Sequence, residues 1–175
     1  MWERKVRNGN GDGVIMKQEV KAILDRVKET ADFGYVAFET VNDTNVLGCN
    51  ALHCVIVWGD YEAAKILIEN GINVNQKGEH GFTPLHEACS FGRKDIAKLL
   101  LEHGANTYAR TEGDLPFTTA RLGGHDEICE LLKPYMEKHG GDEAGQNHQK
   151  HLEKLDSSIT ELEKQIRKYC GDKTE

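Results

Sequence analysis

No stretch of this chain approaches the roughly 18 consecutive apolar residues of a membrane span, so no membrane association is expected. The N-terminus carries positive charges without an apolar segment behind them, so no secretory signal is expected there. Basic charge is not in excess. The 22 Lys and Arg face 29 Asp and Glu, giving a net −7. The deficit is largest between Gly48 and Tyr135, with 8 basic against 12 acidic residues. Nucleic-acid affinity rests on clustered Lys and Arg at phosphates, so nucleic acid is not an expected partner, whereas a basic protein is. The five cysteines include no C-x-x-C pair, and an odd, unpaired set reads as small buried hydrophobes in a reducing, cytoplasmic compartment. Catalytic signatures are missing as well. There is no G-x-G-x-x-G after a strand, no P-loop, no G-x-S-x-G and no H-E-x-x-H. No enzyme activity, cofactor or metal is therefore expected, and the pair His148 and His151 lacks a Cys or acid to complete a zinc set.

What the chain does contain is a repeat. The segments opening at Gly48, Gly81 and Gly113 start 33 and 32 residues apart. Leu52, Leu85 and Phe117 recur in register, as do Gly59, Gly92 and Gly124, then Ile66, Leu99 and Leu131. The middle copy holds Thr83-Pro84-Leu85-His86-Glu87-Ala88. Pro84 suits the first turn of a helix, where its missing N–H costs nothing. Thr83 can cap that turn, and Gly92 can end the helix in a left-handed conformation. Ile96, Leu99 and Leu100 then mark a second helix, over 94–103. Such a helix pair cannot bury its apolar face alone, so the copies must stack.

In period and in this hexapeptide the chain resembles ankyrin repeats. In the third copy Leu115-Pro116-Phe117-Thr118 replaces the tetrapeptide. The resemblance implies an all-α solenoid of about three helix-turn-helix repeats with short hairpin loops, over 45–77, 78–109 and 110–135. It also implies that His53 and His86 tie backbone across adjacent repeats, without a catalytic role. Trp58-Gly59 and the Gly78-Glu79 hairpin look like small stand-alone bacterial ankyrin proteins. Some of these are immunity proteins that block toxins, which implies a toxin-neutralising role.

Flanking elements complete the expected organisation. Residues 1–15 read as a flexible extension and 16–44 as an N-terminal cap. Within the cap, Val20, Ile23, Leu24 and Val27 mark a helix, and β-branched and aromatic residues over 35–41 suggest an extended segment. The loop Asn8 to Glu19 also has EF-hand spacing, with Asn8, Asn10, Asp12 and Glu19 as oxygen ligands and Gly13 at the turn. A calcium-responsive regulator is thus the alternative function, although Asn8 replaces the usual Asp and the incoming helix is limited to residues 2–7. After a polar linker over 136–150, Leu152, Leu155, Ile159, Leu162, Ile166 and Tyr169 form an amphipathic helix over 151–170. That seam can fold back on the last repeat, dock on a partner or self-associate.

Ankyrin architecture places hairpin tips and first helices on a concave binding face. Carried over by position, the candidate partner-binding residues are Trp58, Glu79, His80, Phe82, Phe91, Glu112 and Asp114. Trp58 and Phe91 lie one repeat apart, each just before the glycine closing its first helix, and should sit side by side as binding anchors. The acids around them suit a basic partner.

Overall fold

A computed structural model describes residues 6–7, 13–14, 17–111, 113–139 and 161. The chain forms two compact units, Met1–Lys133 and Pro134–Glu175, and the repeats build the first. The seam over 151–170 lies outside the described residues, apart from Glu161. So do Asn8, Asn10 and Asp12 of the calcium reading. Near the start, β1 (Val6–Arg7) pairs antiparallel with β2 (Gly13–Val14). An EF-hand needs a helix entering its loop, and Val6–Arg7 is strand instead. Glu19 is exposed in the first turn of α1 (Gln18–Lys28).

Helix α1 buries Val20, Ile23, Leu24 and Val27, the residues spaced three and four apart, against the first repeat. Glu19 at its start and Arg26 and Lys28 at its end complement the helix dipole. The segment over 35–41, expected to be extended, forms no strand: it runs irregularly over 36–38 between a turn at Tyr35 and a bend and turn over 39–42. Phe33 and Phe38 stack with centroids 5.9 Å apart, which bends the chain between them. The Asp43 carboxylate accepts the Thr40 N–H at 2.8 Å and the Thr40 hydroxyl at 2.7 Å, fixing the next turn. Strand propensity here has no neighbouring strand to pair with. Nearby, among the described residues, only the isolated bridge Thr44 to Asn50 forms.

The three helix pairs follow. They are α2 (Ala51–Trp58) with α3 (Tyr61–Glu69), α4 (Pro84–Ser90) with α5 (Lys94–Glu102), and α6 (Pro116–Leu122) with α7 (Asp126–His139). First helices stack α2 on α4 on α6, and second helices stack α3 on α5. Leu52, Ile56, Leu67, Leu85, Leu100, Ile128 and Leu132 fill the core, with Ala64, Ala88, Ala97 and Ala120 where backbones approach. Each buried Leu or Ile contributes roughly 1.5–3 kcal/mol. Helix α7 runs to His139, past the repeat boundary expected at Tyr135. Pro134 within it removes one backbone donor without ending the helix.

Three sets of cross-repeat bonds hold the stack in register. His53 Nε2 reaches the Phe82 carbonyl and His86 Nε2 reaches the Asp114 carbonyl, both at 3.3 Å. Their Nδ1 atoms accept the N–H of Asn50 and Thr83, completing a capping box at each helix start. In the second set, Arg93 donates to the Val57 carbonyl at 3.0 Å and His125 to the Ser90 carbonyl at 3.2 Å. These side chains pass under Gly59 and Gly92, both left-handed at φ 73° and 65°. A Cβ on Gly59 would stand 2.8 Å from the Arg93 guanidinium, and one on Gly92 2.6 Å from the His125 ring. The third set lies along the loops. Asn42 donates to the Gly71 carbonyl and accepts the Asn73 N–H, while Asn75 repeats both bonds with Gly104 and Asn106.

Candidate partner-binding face

The register places two rows of residues across the first helices. One row is Cys54, Glu87 and Thr119, and the other, one turn later, is Trp58, Phe91 and Gly123. Phe91 caps α4 and its N–H bonds the Glu87 carbonyl at 2.9 Å, so Glu87 and Phe91 are neighbours one turn apart. Phe91 is 46 % exposed and Trp58 38 %, with Val57 and Leu122 exposed beside the second row. At the hairpin tips, Val46 is 83 % exposed, and Leu47 is exposed as well.

Trp58 and Phe91, expected side by side, form no ring pair. The ring pairs among the described residues are Phe33 with Phe38 and Phe82 with His86. Helices packed one repeat apart are spaced about 8–10 Å, beyond the roughly 4.5–7 Å of a ring pair. Instead, the Arg26 guanidinium lies 4.3 Å from the Trp58 ring centroid and bridges to Asp60 at 2.6 Å. One face of Trp58 is therefore covered by α1, while the ring stays partly open.

The other expected residues divide. Glu79 and His80 are exposed in a 3-10 turn, Glu79–Gly81, with His80 in the left-handed region at φ 53°. Their side chains face each other at 3.6 Å. Phe82 belongs to the scaffold. Its ring packs on His86 with centroids 5.5 Å apart, and its carbonyl accepts from His53. Asp114 exposes its carboxylate, while its carbonyl accepts from His86. Glu112 lies outside the described residues.

Sequence reasoning missed Glu87, Asp32 and Arg26. Burial raises the Glu87 carboxyl above its ordinary range, and the Glu79 charge raises it further. Burial likewise raises the Cys49 thiol; a hydrogen bond with the Glu79 backbone offsets part of this, and the charges of Glu87, Glu79 and Asp32 raise it further. The charges of three carboxylates thus reach Cys49. Among the described residues, no Lys or Arg comes within ion-pair distance of any of them. Glu87 sits inside the hexapeptide that marks the repeat, which hid it as a site residue. Its signal was the four-residue spacing to Phe91. Arg26 gave no signal, since nothing local ties it to a residue 32 positions on.

Burial lowers the pKa of both His53 and His86, keeping their rings neutral. Burial also pushes Cys54 up to about 11 and Cys89 up to about 12, so both thiols stay protonated. Among the described residues, no three His, Cys, Asp or Glu side chains group to hold a metal ion. No helix among them is long and apolar enough to cross a membrane.

Residues 17–111 match the family model for ankyrin repeats, in three copies. The match begins at α1, ahead of the first repeat expected from the glycine register, and stops before α6. Asn42 gives this a physical counterpart, because it joins the first repeat as Asn75 joins the second. No curated protein matches the chain.

Proposed function

Because the chain belongs to the ankyrin-repeat family, whose repeats are protein–protein interaction modules, we propose that it binds a basic protein partner through the first-helix face. The carrying observation is the pair of exposed aromatics, Trp58 and Phe91, at equivalent positions of adjacent repeats, with the half-buried Glu87 one turn before Phe91 and, among the described residues, no Lys or Arg within ion-pair distance of it. Large exposed aromatics anchor interfaces, and acids beside them select a partner by charge. The specific use we propose is neutralisation of a basic toxin by covering its active site. The net −7 charge supports it, as does the likeness to small bacterial ankyrin proteins.

A tagged pull-down from the native cell tests this, run beside a Trp58→Ala, Phe91→Ala double variant. A hot-spot residue contributes about 2 kcal/mol or more, so the partner should be lost from the variant. Circular dichroism must show the variant folded, since Trp58 also packs on Arg26. Equal capture by both proteins would move the interface off this face.

A further inference from the structure

We infer that the segment bound on this face is an amphipathic α-helix with Lys or Arg along one flank, lying across α2 and α4. This rests on the proposed function and specifies the chemistry of its partner. The two rows on the first helices have different characters. Trp58 and Phe91, with exposed Val57 and Leu122 beside them, form an apolar row. One turn before Phe91, whose N–H bonds the Glu87 carbonyl at 2.9 Å, stands the half-buried Glu87, with the Glu79 charge acting on its carboxyl.

Spacing selects the conformation of the occupant. Adjacent packed helices stand about 8–10 Å apart, so Trp58 and Phe91 present anchors at about that interval. In an α-helix, residues i and i+7 return to the same face after about 10.5 Å. An extended strand returns to one face every second residue, at about 6.6 or 13 Å, and misses it. A polyproline helix repeats at about 9.3 Å, but it seats its prolines in aromatic-lined slots. Here the Arg26 guanidinium already covers one face of Trp58, and the two rings form no slot. Charge then orients the helix. Residues at i+3 and i+4 lie to either side of the line from i to i+7, where they can reach Glu87 beside Phe91. Glu87 is half-buried and makes no hydrogen bond with its carboxylate among the described residues, so an incoming Lys or Arg supplies a missing counter-charge.

A phage library of random 18-residue peptides, selected on the full chain, tests this. Enriched peptides should carry apolar residues at i and i+7, with Lys or Arg at i+3 or i+4. A representative peptide should gain helical circular dichroism on binding. Its affinity should fall at least tenfold against Phe91→Ala, and severalfold against a folded Glu87→Gln. Peptides that need Phe91 but are proline-rich, acidic or without a seven-residue period would overturn the helical, basic occupant while leaving the face itself intact. So would an affinity unmoved by Glu87→Gln. Enrichment independent of both Trp58 and Phe91, or no enrichment, would overturn the face as a binding site altogether.

Discussion

Burial lowers the pKa of His53 and His86 below the ordinary value near 6.5, so the unfolded chain takes up protons that the folded rings resist. Their contribution to stability is complete above about pH 6.5 and is lost as pH falls toward the lowered folded values. Urea unfolding at pH 8, 6 and 5 should show a declining stability, and His86→Gln should flatten that decline. The same residue fixes a helix start and a cross-repeat carbonyl. His86→Ala should therefore destabilise by about 2–4 kcal/mol, from a lost cap and stranded buried partners. The sequence already marked this role, because the tetrapeptide places a His three residues after its cap. The thiols behave alike at both sites. With Cys89 raised to about 12 by burial, alkylation should be slow in the native protein and fast in urea. Rapid native labelling of Cys89 would contradict the buried, inert reading.

Among elements, α1 shows most clearly what a sequence pattern reveals and what it hides. Its buried stripe was legible at helical spacing, and its partner was not, because Arg26 meets Trp58 and Asp60 only after the chain has turned back. Arg26→Ala should cost about 1 kcal/mol, the scale of an exposed ion pair with a cation–π contact. It should also shift Trp58 emission in a Trp2→Phe background. An unshifted emission would mean that the guanidinium does not rest on the ring. The segment over 35–41 misled because β-branched residues favour strands only where an edge is offered. Asn42 was readable in hindsight, 33 residues before Asn75, but its copy lacks the glycines that set the register. At the helix ends the glycine signal was sound. Gly92 needs a left-handed backbone and leaves room for His125, so Gly92→Ala should destabilise by about 1–2 kcal/mol or more, read by thermal unfolding.

For the molecule, the repeats are unequal. The first two pairs have a complete capping box, while the third has Leu115 and Thr118 where Thr83 and His86 stand in the second. Thr119 also turns its hydroxyl back onto the Leu115 carbonyl at 3.2 Å, a local bond that holds no neighbour. Nearest-neighbour stability in a stacked array should then fall toward this end. Amides of α6 should exchange with deuterium faster than those of α2 and α4, and uniform protection across the three would rule this gradient out. The joints themselves have a consequence for how such a chain diversifies. His53, His86, Arg93, His125, Asn42 and Asn75 all donate to main-chain carbonyls of the next or preceding repeat. The receiving residues are as unlike as Phe82 and Asp114, or Val57 and Ser90, because every residue carries the same carbonyl. Inheritance can therefore rewrite the recognition surface one position at a time, and can duplicate or exchange whole repeats, without asking the fold for a compensating change.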